Sequence, residues 1–383
     1  MSKYVVDESS LTAIGDAIRE KTGGTELIPF TDMPNEIASI TTGGGSGIEV
    51  EPIVLSGECS YYCSGLLAAK FIELFGDKIT TNNLTNVNSM FKDYELTNIP
   101  FELNMTGESY YDCASLFSQA ERLEISPIMN NFYPSSMGHM FSGCSRLRTI
   151  PENAFNNWNY SRLHSYDFAS LNNMFYGCMS LRNIPESFLK NIYGTGKRSN
   201  YGLLYNGFYY CYCLDEIRGI NLNPNTEMTS NLFNYSFDSC NRVKDIIFDC
   251  NEDGSPKIIR AKNQSIDLTR HIGYAYNTTD ILNYNSGITA DKRVTDDATY
   301  QALKNDVDWW TTDIAYSRYN HDSAVRTINS LPDTSAYLAS SGGTNTIKFK
   351  GASGSATDGG AINTLTEEEI AVAIAKGWTV TLS

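Results

Sequence analysis

Apolar residues return at every third position through the middle of the chain. Met140-Phe141-Ser142-Gly143-Cys144-Ser145-Arg146-Leu147-Arg148-Thr149-Ile150-Pro151 and Met174-Phe175-Tyr176-Gly177-Cys178-Met179-Ser180-Leu181-Arg182-Asn183-Ile184-Pro185 both read Met-Phe-x-Gly-Cys-x-x-Leu-x-x-Ile-Pro. Weaker copies keep the spacing. Phe208 is followed by Cys211, Leu214 and Ile217, and Phe237 by Cys240, Val243 and Ile246. Upstream, Phe117 leads to Ala120, Leu123 and Pro127, and Phe91 leads to Tyr94, Leu96, Ile99 and Pro100. Successive phenylalanines are 26, 24, 34, 33 and 29 residues apart. Self-similarity at such a period is the mark of a repeat architecture, with the length variation carried by loops. Within a copy, Phe and Cys three apart are expected on one face of a helical turn. Leu and Ile then enter a short extended segment, which Pro ends by removing a ladder donor. One copy cannot bury its own apolar face, whereas stacked copies can, at about 1.5–3 kcal/mol for each buried Phe, Leu or Ile.

The two ends follow other patterns. Ser10 is placed to cap a helix carrying Leu11, Ile14 and Ile18 at spacings of three and four, which ends at Gly23. Asp32 and Pro34 open a second short helix with Met33, Ile37 and Ile40 on one stripe. Thr41-Thr42-Gly43-Gly44-Gly45-Ser46-Gly47 then reads as a flexible linker. Two helices this short make no stable core alone, so their stripes call for copies of themselves or another protein. At the other end, Ala298 to Val307 reads as a helix and Leu331-Pro332-Asp333 as a turn. Thr346-Ile347-Lys348-Phe349-Lys350 alternates as a strand. Thr366-Glu367-Glu368-Glu369 is a capping box for a helix through Ile370, Ala373 and Ile374 that stops at Gly377, before a last strand over Trp378-Thr379-Val380-Thr381-Leu382.

Composition narrows the function classes. The net charge of −15 disfavours nucleic acid and anionic membrane as partners. A hydrophobic fraction of 41% rules out wholesale disorder. The N-terminus carries no basic region followed by an apolar run, so no secretory signal is expected, and no stretch approaches the length of a membrane span. Nine cysteines cannot all pair internally. Neither Cys59 and Cys63 nor Cys211 and Cys213 has zinc-knuckle spacing, and the four histidines stand apart, so neither metal nor any other cofactor is expected. The cysteines instead fall in the repeat: Cys144, Cys178, Cys211, Cys240 and Cys63 fit one recurring slot as small hydrophobes.

The repeat Phe-x-x-Cys-x-x-Leu-x-x-Ile-Pro resembles the BspA-type, or Treponema-like, leucine-rich repeats of bacterial surface proteins. It is closer still to the Met-Phe-x-x-Cys variant of mycoplasma-type surface lipoproteins and bacteriophage virion proteins. The likeness covers roughly residues 60–258. The N-terminal segment with Leu11, Ile14, Ile18, Met33, Ile37 and Ile40 resembles an attachment or oligomerisation module of phage tail-fibre-like proteins. The tail from Leu365 to Val380 is similar to the closing segment of phage leucine-rich-repeat proteins. The implied fold is α/β: a leucine-rich-repeat solenoid with a short helical N-terminal attachment segment and an αβ C-terminal cap. The expected organisation is attachment over 1–42, linker over 43–50, solenoid over 51–297 with clear repeats at about 88–250, and capping unit over 298–383.

The implied function is that of a virion structural protein, assembled in the host bacterial cytoplasm and exposed on tail or capsid. It would bind other virion proteins through its N-terminus, act as a homo-oligomer, and meet a host-surface saccharide or protein. A bacterial cell-surface adhesin and a polysaccharide depolymerase are the alternatives. No catalytic motif is present: Gly194-Thr195-Gly196-Lys197 lacks the first glycine of a phosphate loop, which falls on Asn191, and pairs such as Asp296-Asp297 are uninformative among 44 acids. The chain is therefore not expected to be an enzyme. Twenty-four tyrosines, clustered at Tyr61-Tyr62, Tyr110-Tyr111, Tyr209-Tyr210, Tyr212, Tyr274, Tyr276, Tyr316 and Tyr319 and often beside Asn, suit recognition as well as they suit a covered flank.

Overall fold

The computed structural model describes residues 52–60, 63, 65–105, 111–159, 171–191, 205–211, 213–222, 227–229, 231–233, 235–238, 240, 243–269, 319–349 and 365–382. The N-terminal positions Leu11, Ile14, Ile18, Met33, Ile37 and Ile40, the linker, and the helix expected over Ala298–Val307 lie outside them.

Every repeat phenylalanine sits in a run of tight turns. Around Phe141, the amides of Met140, Ser142 and Cys144 donate three residues back, to the carbonyls of Met137, His139 and Phe141. The intervening amides of His139, Phe141 and Gly143 donate to Asn172, Met174 and Tyr176 of the next copy, at 2.7–2.9 Å. All six consecutive N–H groups are thus satisfied, alternately within the copy and across to its neighbour. The turns need residues with positive φ two before and two after each phenylalanine from Phe91 to Phe208. These are Ser89 and Asp93, Ser115 and Gln119, His139 and Gly143, Asn173 and Gly177, and Asn206 and Tyr210. Each is the third residue of a turn, the position at which a type II turn demands positive φ. The Phe–Cys segment is therefore not a turn of helix, as its spacing suggested, because an α-helix admits no left-handed residue every four positions.

The strands are short and parallel. β1 (Ile53–Glu58) and β2 (Ile79–Asn86) pair, and helix α1 (Gly65–Phe75) connects them. β3 (Leu103–Asn104), β5 (Met129–Asn130) and β7 (Phe155–Asn156) form one three-stranded sheet, while β4 (Tyr111–Asp112) pairs with β6 (Pro134–Ser136). Helix α2 (Glu186–Asn191) precedes β8 (Glu216–Ile220), which pairs with β10 (Asp245–Phe248), and β9 (Glu227–Met228) pairs with β11 (Arg260–Ala261). β12 (Ser265–Leu268), β13 (Asn345–Phe349) and β14 (Trp378–Leu382) make the last sheet. Helices α3 (His321–Ser330), α4 (Ser335–Ser341) and α5 (Glu367–Ala375) accompany it.

The expected α/β leucine-rich-repeat solenoid is corrected by this topology. The described residues form six separate parallel sheets of two or three strands, with few helices, and the class is only weakly α/β. The physical reason is local. Left-handed residues every four positions keep the repeat in turns, which leaves only a few residues per copy to extend. Ile217 and Ile246 do lie in paired strands, whereas Ile150 and Ile184 lie in irregular backbone. No described helix is long and apolar enough to cross a membrane.

The core is continuous from β1 to β14. Its axis is a column of rings: Phe91, Phe117, Phe141, Phe175, Phe208 and Phe237 stack in order, with centroids 4.9–6.0 Å apart and planes within 18° of parallel. All are buried, as are Leu147, Ile150, Leu181, Ile184, Leu214 and Ile217 below them. Such ring pairs add about 0.5–1.5 kcal/mol each to what burial alone contributes.

The end of the chain follows its sequence signals closely. Thr366 accepts from the Glu369 amide while the Glu369 carboxylate accepts from the Thr366 amide, closing the capping box that starts α5. Gly377, at φ +84°, carries the chain into β14. The Lys376 ammonium is buried and donates to the carbonyls of Ile328 (2.9 Å) and Asn329 (2.6 Å) near the C-terminus of α3, where a cation is favoured. Burial holds its pKa below the ordinary lysine value.

Candidate ligand-contact face

The repeat cysteines share one geometry. The thiols of Cys144, Cys178, Cys211 and Cys240 donate to the backbone oxygens of Phe117, Phe141, Phe175 and Phe208, at 3.0, 3.1, 3.1 and 3.2 Å. Each cysteine thus reaches the phenylalanine of the preceding copy. Burial pushes all four thiols well up from their ordinary pKa, so they stay protonated as donors and are poor nucleophiles. Their role is structural. Cys63 is buried but does not occupy the slot expected for it: its amide donates to Met90, as those of Phe117 and Phe141 donate to Met140 and Met174, which sets it in the register of the phenylalanines.

The side chains on the polar side of the turns are placed by the same repeat. Two residues before the phenylalanine stand His139, Asn173 and Asn206 on successive copies. The Asn206 amide donates to Asn173 Oδ1 at 3.0 Å, and Asn173 Nδ2 lies 3.3 Å from His139 Nε2. Desolvation lowers the His139 pKa, which favours a neutral ring whose Nε2 accepts. Tyr235 takes this place on the next copy, so the row of amides ends at Asn206.

One and two residues after the phenylalanine stand Tyr176, Tyr209 and Tyr210. Tyr176 and Tyr209 stack at 5.5 Å with planes 12° apart. Tyr210 stands nearly upright to both, 5.6 Å from Tyr176 at 78° and 4.0 Å from Tyr209 at 66°. The three rings form a half-buried corner. Nearby, Tyr205 meets the exposed Tyr235 edge to face at 6.1 Å. Desolvation, together with a hydrogen bond to Tyr210 and the charge of Asp238, raises the Tyr209 pKa, so its hydroxyl is a neutral donor and acceptor.

The sequence signal pointed to Tyr209 and Tyr210 but missed Tyr176, Tyr205 and Tyr235, which stand apart in sequence and are gathered only by the repeat register. It also missed the row His139, Asn173 and Asn206, whose signal is a shared offset from each phenylalanine. Tyr319, placed among the surface clusters, is fully buried with its hydroxyl 2.6 Å from Thr327 Oγ1. Tyr61, Tyr62, Tyr110, Tyr212, Tyr274, Tyr276 and Tyr316 lie outside the described residues, as do Asp296, Asp297 and the Gly194–Lys197 loop.

A second polar cluster is structural. Asp245, buried on β10, takes Arg218 of β8 and Arg326 of α3, each at 2.6 Å, and ties the strand pair to the helix. Among the described residues no group of three or more His, Cys, Asp or Glu is arranged to hold a metal ion. No family model, curated protein or solved structure matches the chain.

Proposed function

We propose that the chain is a structural protein of a bacteriophage particle, exposed on its tail or capsid, which contacts the surface of the host cell. The observation that carries this reading is the row of tyrosines and amides held at fixed offsets on consecutive turns. Tyrosine supplies rigid, amphipathic contact area at low entropic cost, and Asn supplies adaptable hydrogen bonding. The resemblance of both chain ends to phage virion segments supports the particle. Residues 1–42 would join it to other virion proteins, as a homo-oligomer, leaving the tyrosine face outward. The role is binding and not catalysis.

Mass spectrometry of purified particles tests the reading, with the chain expected among the structural proteins. Its absence from particles, with recovery from a bacterial envelope fraction, replaces the proposal by a cell-surface adhesin. Purified chain added before infection is expected to slow particle adsorption.

A further inference from the structure

We infer that the corner formed by Tyr176, Tyr209 and Tyr210, together with the amides of Asn173 and Asn206, is a binding site for an uncharged oligosaccharide. The inference deepens the reading above, since it names the chemistry by which a host surface would be recognised.

Four observations lead there. The first is ring geometry. A parallel pair with a third ring upright against it sets half-buried ring faces in two directions. The negative face of an aromatic ring attracts the weakly positive C–H groups that line one side of a pyranose. A flat apolar partner needs no such corner.

The second is the neighbouring amide row. On the copies of Phe175 and Phe208 an amide stands two residues before the phenylalanine and a tyrosine one or two residues after it. An amide carries donors and an acceptor side by side, which matches the hydroxyl pairs of a sugar. Asn206 donates one N–H to Asn173, and its Oδ1 and second N–H make no hydrogen bond among the described residues.

The third is conformation. Tyr210 sits at φ +64°, at the turn position that holds Asp93, Gln119, Gly143 and Gly177 on the other copies. The turn itself demands this conformation, and tyrosine is the bulkiest residue to adopt it at this offset. Glycine would fit this backbone more easily, yet a ring is held there against the other two.

The fourth is charge. The net charge of −15, with buried Asp238 acting on Tyr209, disfavours an acidic polysaccharide and leaves a neutral one. Because the groups recur on two consecutive copies, the site suits a short chain of sugars more than a single one.

The test uses the full-length protein and four probes: cellohexaose, maltohexaose, chitohexaose and, as the acidic comparison, hexagalacturonate. Binding is read by calorimetry and by quenching of tyrosine fluorescence. At least one neutral probe is expected to bind with Kd at or below about 1 mM, and the acidic probe at least tenfold more weakly. Tyr210→Gly is the informative variant. It is expected to fold, since relief of the left-handed strain offsets part of the lost ring contacts, while weakening binding at least tenfold. Tyr176→Ala and Asn206→Ala are expected to weaken binding as well, with circular dichroism reporting the fold.

No binding of any neutral probe overturns the inference. So does binding that Tyr210→Gly and Tyr176→Ala leave unchanged in folded protein. These outcomes are separable from failure of the virion reading: a chain that binds sugar but is absent from particles keeps the site and loses the particle. A chain present in particles that binds no sugar does the reverse.

Discussion

The thiol of Cys178 donates to the backbone oxygen of Phe141, 3.1 Å away and 37 residues earlier in the chain. That oxygen already accepts the amide of Cys144 within its own turn. One carbonyl therefore closes its own copy and receives the next. The same pairing recurs at Cys144, Cys211 and Cys240, so cysteine is the residue type that both fills the slot and donates across it. Ala120 fills the same slot without a donor, at full burial.

Cys178→Ala is expected to fold and to lose about 1–2 kcal/mol, the sum of a weak hydrogen bond and a small cavity. Chemical denaturation measures it. A loss near zero would show that neither the hydrogen bond nor the filled volume contributes.

Eight of the nine cysteines are buried and Cys250 is half-exposed. Iodoacetamide applied to the native protein is expected to modify Cys250 first and the repeat cysteines only after unfolding. Peptide mapping by mass spectrometry reads the order. Early labelling of Cys178 or Cys211 would mean that the turns open easily.

Gly177 has φ +74°, and a Cβ placed there would meet nothing closer than the Gly143 backbone at 3.7 Å. Gly177→Ala is therefore a test of backbone strain alone, with an expected loss of about 1–2 kcal/mol. Gly177→Asn should lose less, since Asn tolerates the left-handed region. Equal stability of the alanine variant would place the turn in another conformation.

His321 lies between Asp322, at 3.3 Å, and Glu369 of the α5 capping box, at 3.1 Å. Hydrogen bonds to Asp322 and Glu369 raise its pKa above the ordinary 6.5, while Glu369 is lowered, first by the Thr366 amide and then by His321. For the histidine, a folded pKa above the unfolded one means stability that is full below pH 6.5 and lost as pH rises through the raised value. For Glu369 the sign is opposite: its contribution is present above its ordinary 4.5 and lost as pH falls through the lowered value. Amide exchange in the first turn of α5 should therefore be slowest between these limits and quicken as pH rises through the raised histidine value, after correction for intrinsic exchange. His321→Gln should flatten the alkaline side, and an unchanged profile would refute the contact.

Much of the buried repeat is legible in the amino-acid sequence alone, but of the candidate face only Tyr209 and Tyr210 are. The repeat identifies Phe91 through Phe237 as one column, and four of the cysteines as one slot, because identical offsets place residues in identical environments. The capping box at Thr366 is legible for a related reason, being local. The turn conformation is not. Three-residue spacing is common to a helix and to a run of turns, and only positive φ at Ser89, His139 or Tyr210 separates them. Nor is the Asp245 pairing with Arg218 and Arg326 legible, since Arg326 lies 81 residues away on another element.

The amino-acid order by itself determined which residues are buried in the repeat, where its copies begin, and how the last helix starts and stops. These depend on periodicity and on contacts within a few residues. The tertiary structure decided the rest: that the backbone bonds alternately to itself and to the next copy, that the sheets stay small and separate, and that Tyr176, Tyr209 and Tyr210 meet at a corner. Those outcomes depend on register between segments tens of residues apart, which loop closure and packing settle and which no local pattern encodes.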